Sequence, residues 1–258
     1  MKQNKNIFIR FFKSIGNFFH NILMWIEYLL IYIVFSPKVK CKVVGKNNVN
    51  KNEDKVFIAN HYEIFGPIAM FLNFPYKFRP WVIDKMIDPK LVEKQMSLSV
   101  YNNFPKYPMW FKKFVVKAIK SLMVWTMNHA KAISVSRENL RDNLKTLKES
   151  SETLKTKKSI LVFPEDRYVA EGVGKFQTGF ENLARYHYQK TGRCLTFYPV
   201  FVSQINKTIY IEKPITYNPE NSHIEEKELI VEHLYDSMLN SYIKNECGKP
   251  NPKAKKLK

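Results

Sequence analysis

Four things are scarce in this chain of 258 residues, and each scarcity removes a class of protein. Cysteine occurs three times, at Cys41, Cys194 and Cys247, widely spaced and without a C-x-x-C pair. That excludes a disulfide framework and a zinc ribbon, and a reducing compartment is expected. Glycine (8) and proline (13) are too few for a collagen-like or Gly/Pro-rich disordered chain. No G-x-S-x-G, Walker loop or G-x-G-x-x-G occurs, so the sequence marks of a nucleophile elbow, an NTP-binding loop and a dinucleotide fold are missing. Acidic residues are also in deficit: 23 Asp+Glu stand against 42 Lys+Arg, a net charge of +19.

What is present follows from there. The chain is 45% apolar, enough for one sizeable core with a small satellite region, and 14% aromatic, unlike a disordered tail protein. The excess of positive charge predicts an anionic partner, whether nucleic acid, an acidic membrane surface or a phosphorylated substrate.

Residues 1–36 predict a pair of membrane-associating helices. Phe8, Phe11, Phe12, Ile15, Phe18, Phe19 and Ile22 recur at helical spacing, with Arg10, Lys13, Asn17 and His20 opposite them. The apolar run Ile22–Phe35 follows, interrupted only by Glu27. As a helix it rises about 21 Å, short of the ~30 Å hydrocarbon core, so it is read as lying in one leaflet. A buried core hairpin and a single span are the alternatives. No secretory leader is expected, because the run ends in Ser36-Pro37-Lys38 without a small-x-small cleavage site.

A second basic and aromatic region runs from Lys94 to Arg137, with eight Lys and Arg and no acidic residue. Phe111, Phe114, Val115, Ala118, Leu122 and Trp125 follow helical spacing there, and Lys113, Lys117 and Lys120 are expected on another face. The combination suits anionic lipid, and a polynucleotide could use the same charges. Residues 244–258, with six Lys and one Glu, read as a solvated basic tail.

Between these ends, residues 37–243 are expected to form one domain. Strands are predicted at Val56–Ala59, Trp81–Ile83, Ala132–Val135, Ile160–Phe163, Leu195–Val202 and Thr208–Ile211. Helices are predicted at about 62–73, 110–128, 137–156, 178–190 and 225–243, the third with Leu140, Leu144, Leu147 and Leu154 facing the sheet. The fold class is α/β: a mixed, mostly parallel sheet flanked by helices. In such a sheet, reactive groups belong in loops beyond the strand C-terminal ends. Those loops carry Asn60-His61, Ser136-Arg137 and Glu165-Asp166-Arg167. His129, His187, His223 and His233 lack ligand-like partners and are expected to be surface or core residues, so no metal site is predicted.

Four segments now stand in order: Val56-Phe57-Ile58-Ala59-Asn60-His61, Ile133-Ser134-Val135-Ser136-Arg137, Ile160-Leu161-Val162-Phe163-Pro164-Glu165, and Tyr198-Pro199-Val200-Phe201-Val202. In order and spacing they resemble the four blocks of the glycerolipid acyltransferases of the lysophosphatidic acid acyltransferase type. Those blocks are Asn-His-x-x-x-x-Asp, a strand ending in Arg, Phe-Pro-Glu-Gly-x-Arg, and a strand containing Val-Pro-Val. The resemblance covers roughly residues 56–216. Two departures stand out. Gly66 occupies the place of the family's Asp, and the loop after Glu165 is one residue shorter, so that Arg167 arrives one place early.

The resemblance implies transfer of a fatty acyl group from a thioester, acyl-CoA or acyl-carrier protein, to a hydroxyl of a lysophospholipid or related glycerolipid. His61 would be the general base. With Gly66 offering no carboxylate, Glu63 or Asp166 would take the orienting acid's place, or neither does. Arg137 and Arg167, with Lys85, would hold the acceptor's phosphate. Glu165 would orient an arginine or hydroxyl there, and Gly179, opening a helix, would add backbone N–H groups. No cofactor is implied. The expected location is the cytoplasmic face of the cell membrane. Two further readings compete: a lapsed relative that binds lipid without transferring acyl groups, which Gly66 favours, and a nucleic-acid-binding protein. Against the last, no recognition helix, RNP string, zinc finger or KH loop appears.

Overall fold

The computed structural model describes residues 39–62, 65–83, 89–103, 106–136, 140–165 and 172–249. The expected helix pair over 1–36, most of the basic tail, and Glu63, Lys85, Arg137, Asp166 and Arg167 lie outside the described residues. Eight strands form one sheet: β1 (Lys42–Val44), β2 (Asp54–Ala59), β3 (Phe78–Ile83), β4 (Ile133–Val135), β5 (Ser159–Val162), β6 (Leu195–Ser203), β7 (Thr208–Ile211) and β8 (Ile215–Thr216). The described helices are α1 (Phe65–Asn73), α2 (Pro89–Asn103), α3 (Met109–His129), α4 (Leu140–Lys155), α5 (Asn182–Thr191) and α6 (His223–Asn245). They fall into two compact units, α2 and α3 in one and the sheet with α1, α4, α5 and α6 in the other.

The continuous apolar runs of β2, β5 and β6 occupy the middle of the sheet because both of its faces are covered. The strand order is β1-β7-β6-β2-β5-β3-β4, with β8 also on β6. β2 through β6 run parallel, while β7 and β8 run antiparallel to β6. The expected mixed, mostly parallel α/β sheet is what forms. Alternation along β2 sorts the core: Val56 and Ile58 pack with Leu154 of α4, Leu183 of α5 and Leu234 of α6, whereas Phe57 and Ala59 pack with Ala69 and Met70 of α1.

Pro199 sits inside a central strand, where a missing N–H normally breaks a ladder. The Glu212 N–H donates to the Pro199 carbonyl at 2.9 Å, so Pro199 faces the β7–β8 side. Its missing N–H therefore falls where β7 and β8 part, at residues 212–214, outside either strand.

Two expectations change. Leu144 is exposed, because the face of α4 laid on the sheet centres on Leu147, Ser150, Ser151 and Leu154. The polar members of that face are satisfied: Trp81 Nε1 donates to Ser150 Oγ at 2.9 Å, and Arg79 donates to Thr153 Oγ1 at 2.7 Å. The helix expected from residue 62 begins at Phe65, since Tyr62 has φ 42°, which no right-handed helix tolerates.

His187 is a core histidine. Its Nε2 lies 2.9 Å from Asp54 Oδ2 and its Nδ1 2.9 Å from Ser151 Oγ. A carboxylate only accepts, so Nε2 carries the proton and Nδ1 accepts from the serine. Arg193 Nε also reaches Asp54 Oδ2, at 2.9 Å. The composition is that of a hydrolase triad, but Ser151, His187 and Asp54 are all buried and closed to substrate. Burial pushes the His187 imidazole below its ordinary value, partly opposed by Asp54. A histidine held low in the folded state gives its full stability above the unfolded value of about 6.5, and that stability is lost as pH falls. His187→Leu is expected to lose about 1–3 kcal/mol at neutral pH, from the stranded Ser151 hydroxyl and weakened Asp54 shell. Its melting temperature should also fall less than the wild type's between about pH 7 and pH 5, as read by calorimetry.

Candidate active site

β2 and β5 are parallel neighbours, Ile58 beside Val162, so their chains leave the sheet side by side. The two segments singled out in the sequence, Asn60-His61 and Phe163-Pro164-Glu165, therefore meet. Asn60 is fully buried and extends the ladder with its side chain: Oδ1 accepts from Val202 N–H at 2.6 Å and Nδ2 donates to Val202 O at 3.2 Å. A shorter or apolar side chain could not make this double bond to β6, which explains asparagine before the histidine.

His61 is exposed, with its ring edge-on to Phe163 at 5.3 Å between centroids. Its backbone N–H donates to Glu165 Oε2 at 2.6 Å, while Glu165 Oε1 accepts from Gly174 N–H at 2.8 Å. Glu165 is itself held by a bridge to Phe176, and Gln177 N–H donates to Pro164 O at 2.7 Å. Burial raises the Glu165 carboxyl above its ordinary value, opposed by those two backbone N–H donors. An acid held high in the fold costs stability as pH rises from its ordinary value through the raised one, and the loss is complete above the latter. Residues that bear such a load at a strand end are a mark of functional sites.

Tyr62 fixes the other side of His61. Its backbone is in the left-handed region, and its hydroxyl donates to Glu246 Oε2 at 2.8 Å. Glu246, just beyond α6, also takes Ser203 Oγ at 2.6 Å and Ile205 N–H at 3.0 Å on Oε1. Tyr62, Glu246, Gly174 and Ser203 were not found by reading the sequence, and at separations up to 184 residues no local signal points to them.

Gly66 is more than an absent carboxylate. Its N–H donates to His61 O at 3.1 Å, and a Cβ built on it would lie 2.3 Å from His61 O and 2.6 Å from Asn60 O. The start of α1 has closed onto the histidine's own backbone. Gly179 has φ 119°, and its N–H is taken by Glu181 Oε2 at 2.6 Å, so its N–H already has an anionic partner within the chain. Of the residues expected at the site, His61 and Glu165 are brought together, whereas Glu63, Asp166, Arg137, Arg167 and Lys85 lie outside the described residues. Among the described residues, no three His, Cys, Asp or Glu side chains gather as a metal site.

The family model "Acyltransferase" matches residues 95–203, which takes in Glu165, β5 and β6 but not Asn60, His61 or Gly66. A solved structure, the 1-acyl-sn-glycerophosphate (LPA) acyltransferase PlsC from Thermotoga maritima, is similar at 16% identity and a TM-score of 0.44, over 81% of this chain and 73% of that chain. No curated protein matches. Within the matched span, the strand-end carboxylate Glu165 is bonded to the backbone of the histidine that the sequence singles out.

Proposed function

We propose that this protein moves a fatty acyl group from a thioester to a hydroxyl of a lysophospholipid or related glycerolipid, with His61 as general base. One observation carries the reading. An exposed imidazole stands at the end of the central strand, with its main chain clamped from one side by Glu165 and from the other by Tyr62 and Glu246. Clamping matters because a base must meet the O–H within hydrogen-bond reach, and a 1 Å error can cost ~10²-fold.

The step balances simply. His61 takes the alcohol proton as the oxygen attacks the thioester carbonyl carbon. The tetrahedral centre then collapses, breaking C–S, and the departing thiolate sulfur takes the proton back from the imidazolium. Arg137, Arg167 and Lys85 supply the positive charge for an acceptor phosphate, and either Glu63 or Asp166 balances the imidazolium. Acyl-CoA or acyl-carrier protein is the donor, both anionic and suited to a chain of +19. Residues 1–36 hold the chain at the cytoplasmic face of the membrane, and no helix of the described residues is long and apolar enough to cross one.

The test is acyl-CoA or acyl-carrier protein with lysophosphatidic acid and a panel of lysophospholipids, products read by mass spectrometry. Product from the wild type and none above background from His61→Ala supports the reading; equal background from both rejects it. Glu63→Gln and Asp166→Asn are expected to split, with one losing up to about 10⁴-fold in kcat and the other close to wild type. A second reading, lipid binding without transfer, is favoured by the crowding at Gly66. It would show as lysolipid binding with no product.

A further inference from the structure

α3 presents an exposed stripe that neither the sheet's core nor the chemistry above uses. Trp110 is 71% exposed and Phe114 65% exposed, and Met109 and Tyr107 beside them are exposed as well. These are large apolar side chains of the kind that soluble surfaces scatter singly rather than gather. Lys113 and Lys117 are exposed on the same helix. At 100° per residue, Lys113, Lys117, Trp110, Phe114 and Ala118 fall within an arc of about 140°. The two lysines line one edge of this arc and Trp110, Phe114 and Ala118 the other, so a basic flank borders an apolar one. The helix's acidic partner lies elsewhere: Lys120 pairs with Glu93 of α2 at 2.6 Å, outside that stripe.

We propose that Tyr107 and the face of α3 from Met109 to Ala118 form a docking surface for an anionic lipid bilayer, with Trp110 and Phe114 entering the interface and Lys113 and Lys117 meeting the headgroups. Three features select lipid over another protein or a polynucleotide. Indole and benzyl groups flanked by lysine match a boundary that is apolar on one side and anionic on the other. The stripe lies along a helix with no acidic residue from Met109 to His129, so nothing in it repels the headgroups. A polynucleotide would use the lysines but leave Trp110 and Phe114 without the unstacked bases they need. The surface goes beyond the acyltransferase reading and does not depend on it, because it is read by binding and not by turnover.

The experiment uses the full chain with vesicles of phosphatidylglycerol and phosphatidylcholine, and with phosphatidylcholine alone. Flotation is compared for wild type, W110S/F114S and K113E/K117E, all surface changes expected to leave the fold intact. Each pair of substitutions is expected to weaken binding to the anionic vesicles by roughly tenfold or more. In bound protein, brominated lipid should quench a fluorescence component that is missing in W110F. If residues 1–36 alone hold the vesicle, Trp110 will stay open to aqueous iodide in the bound state, and the proposal fails. It fails equally if both variants bind as the wild type does, or if W110S/F114S only converts a dimer to a monomer.

Discussion

Replacing His61 with alanine is expected to lower kcat for acyl transfer by about 10²–10⁴-fold, the usual worth of a positioned general base. That corresponds to about 3–5 kcal/mol of lost transition-state stabilisation. KM for both substrates should change little, because in the proposed mechanism the imidazole acts on the proton in flight rather than on the bound acceptor. Stability should barely move. The side chain is exposed, and the bonds that fix this loop come from the backbone N–H of residue 61, the Asn60 amide and the Tyr62 hydroxyl, none of which the substitution removes. Steady-state kinetics beside a urea melt separate the two effects. A variant that unfolds early, or one that turns over at the wild-type rate, would each remove His61 from the mechanism.

The second large effect is at Gly66, and its direction runs against the motif. Gly66→Asp would supply the residue type of the motif that this segment resembles, yet it is expected to destroy rather than improve the site. Its Cβ would meet His61 O at 2.3 Å, Asn60 O at 2.6 Å and His61 C at 2.8 Å, all of them main-chain atoms that cannot swing aside as a side-chain tip can. Either α1 moves off or the histidine's peptide is pushed out of place. Overpacking of this kind costs about 3 kcal/mol or more when backbone has to yield. A displaced His61 would lose roughly another 10²-fold in rate. Gly66→Ala should share most of the loss, since the first added carbon makes the clash, and comparing the two isolates the carboxylate's own contribution. A Gly66→Asp protein with wild-type stability and higher turnover would show that the loop has room.

The sheet could be read from the sequence where its strands are buried on both sides. β2, β5 and β6 announce themselves as apolar runs, and β7 was placed to the residue. β1 and β8 were missed because three- and two-residue edge strands carry no periodicity. α2 was missed because Pro89–Asn103 spreads its apolar residues without a wide stripe. The site divides in the same way. His61 and Glu165 follow strands that lie next to each other, so a reading of strand ends finds both. Among the described residues, Glu165 bonds the main chain of His61 and Gly174, and such a role leaves no trace in side-chain chemistry. The crowding at Gly66 is equally silent in a sequence, where a glycine reads as an omission.

The clamp on Tyr62 ties the site to the order in which the chain is made. Tyr62 and Glu246 are separated by 184 residues, and Glu246 also gathers Ser203 and Ile205. The ribosome delivers His61 early, but the carboxylate that secures its neighbour emerges only once translation has passed position 246. Contacts this remote in sequence close late. Nascent protein would thus assemble its central strands while the imidazole still sits on an unlatched loop, and competence for chemistry would arrive with the last helix rather than with the sheet.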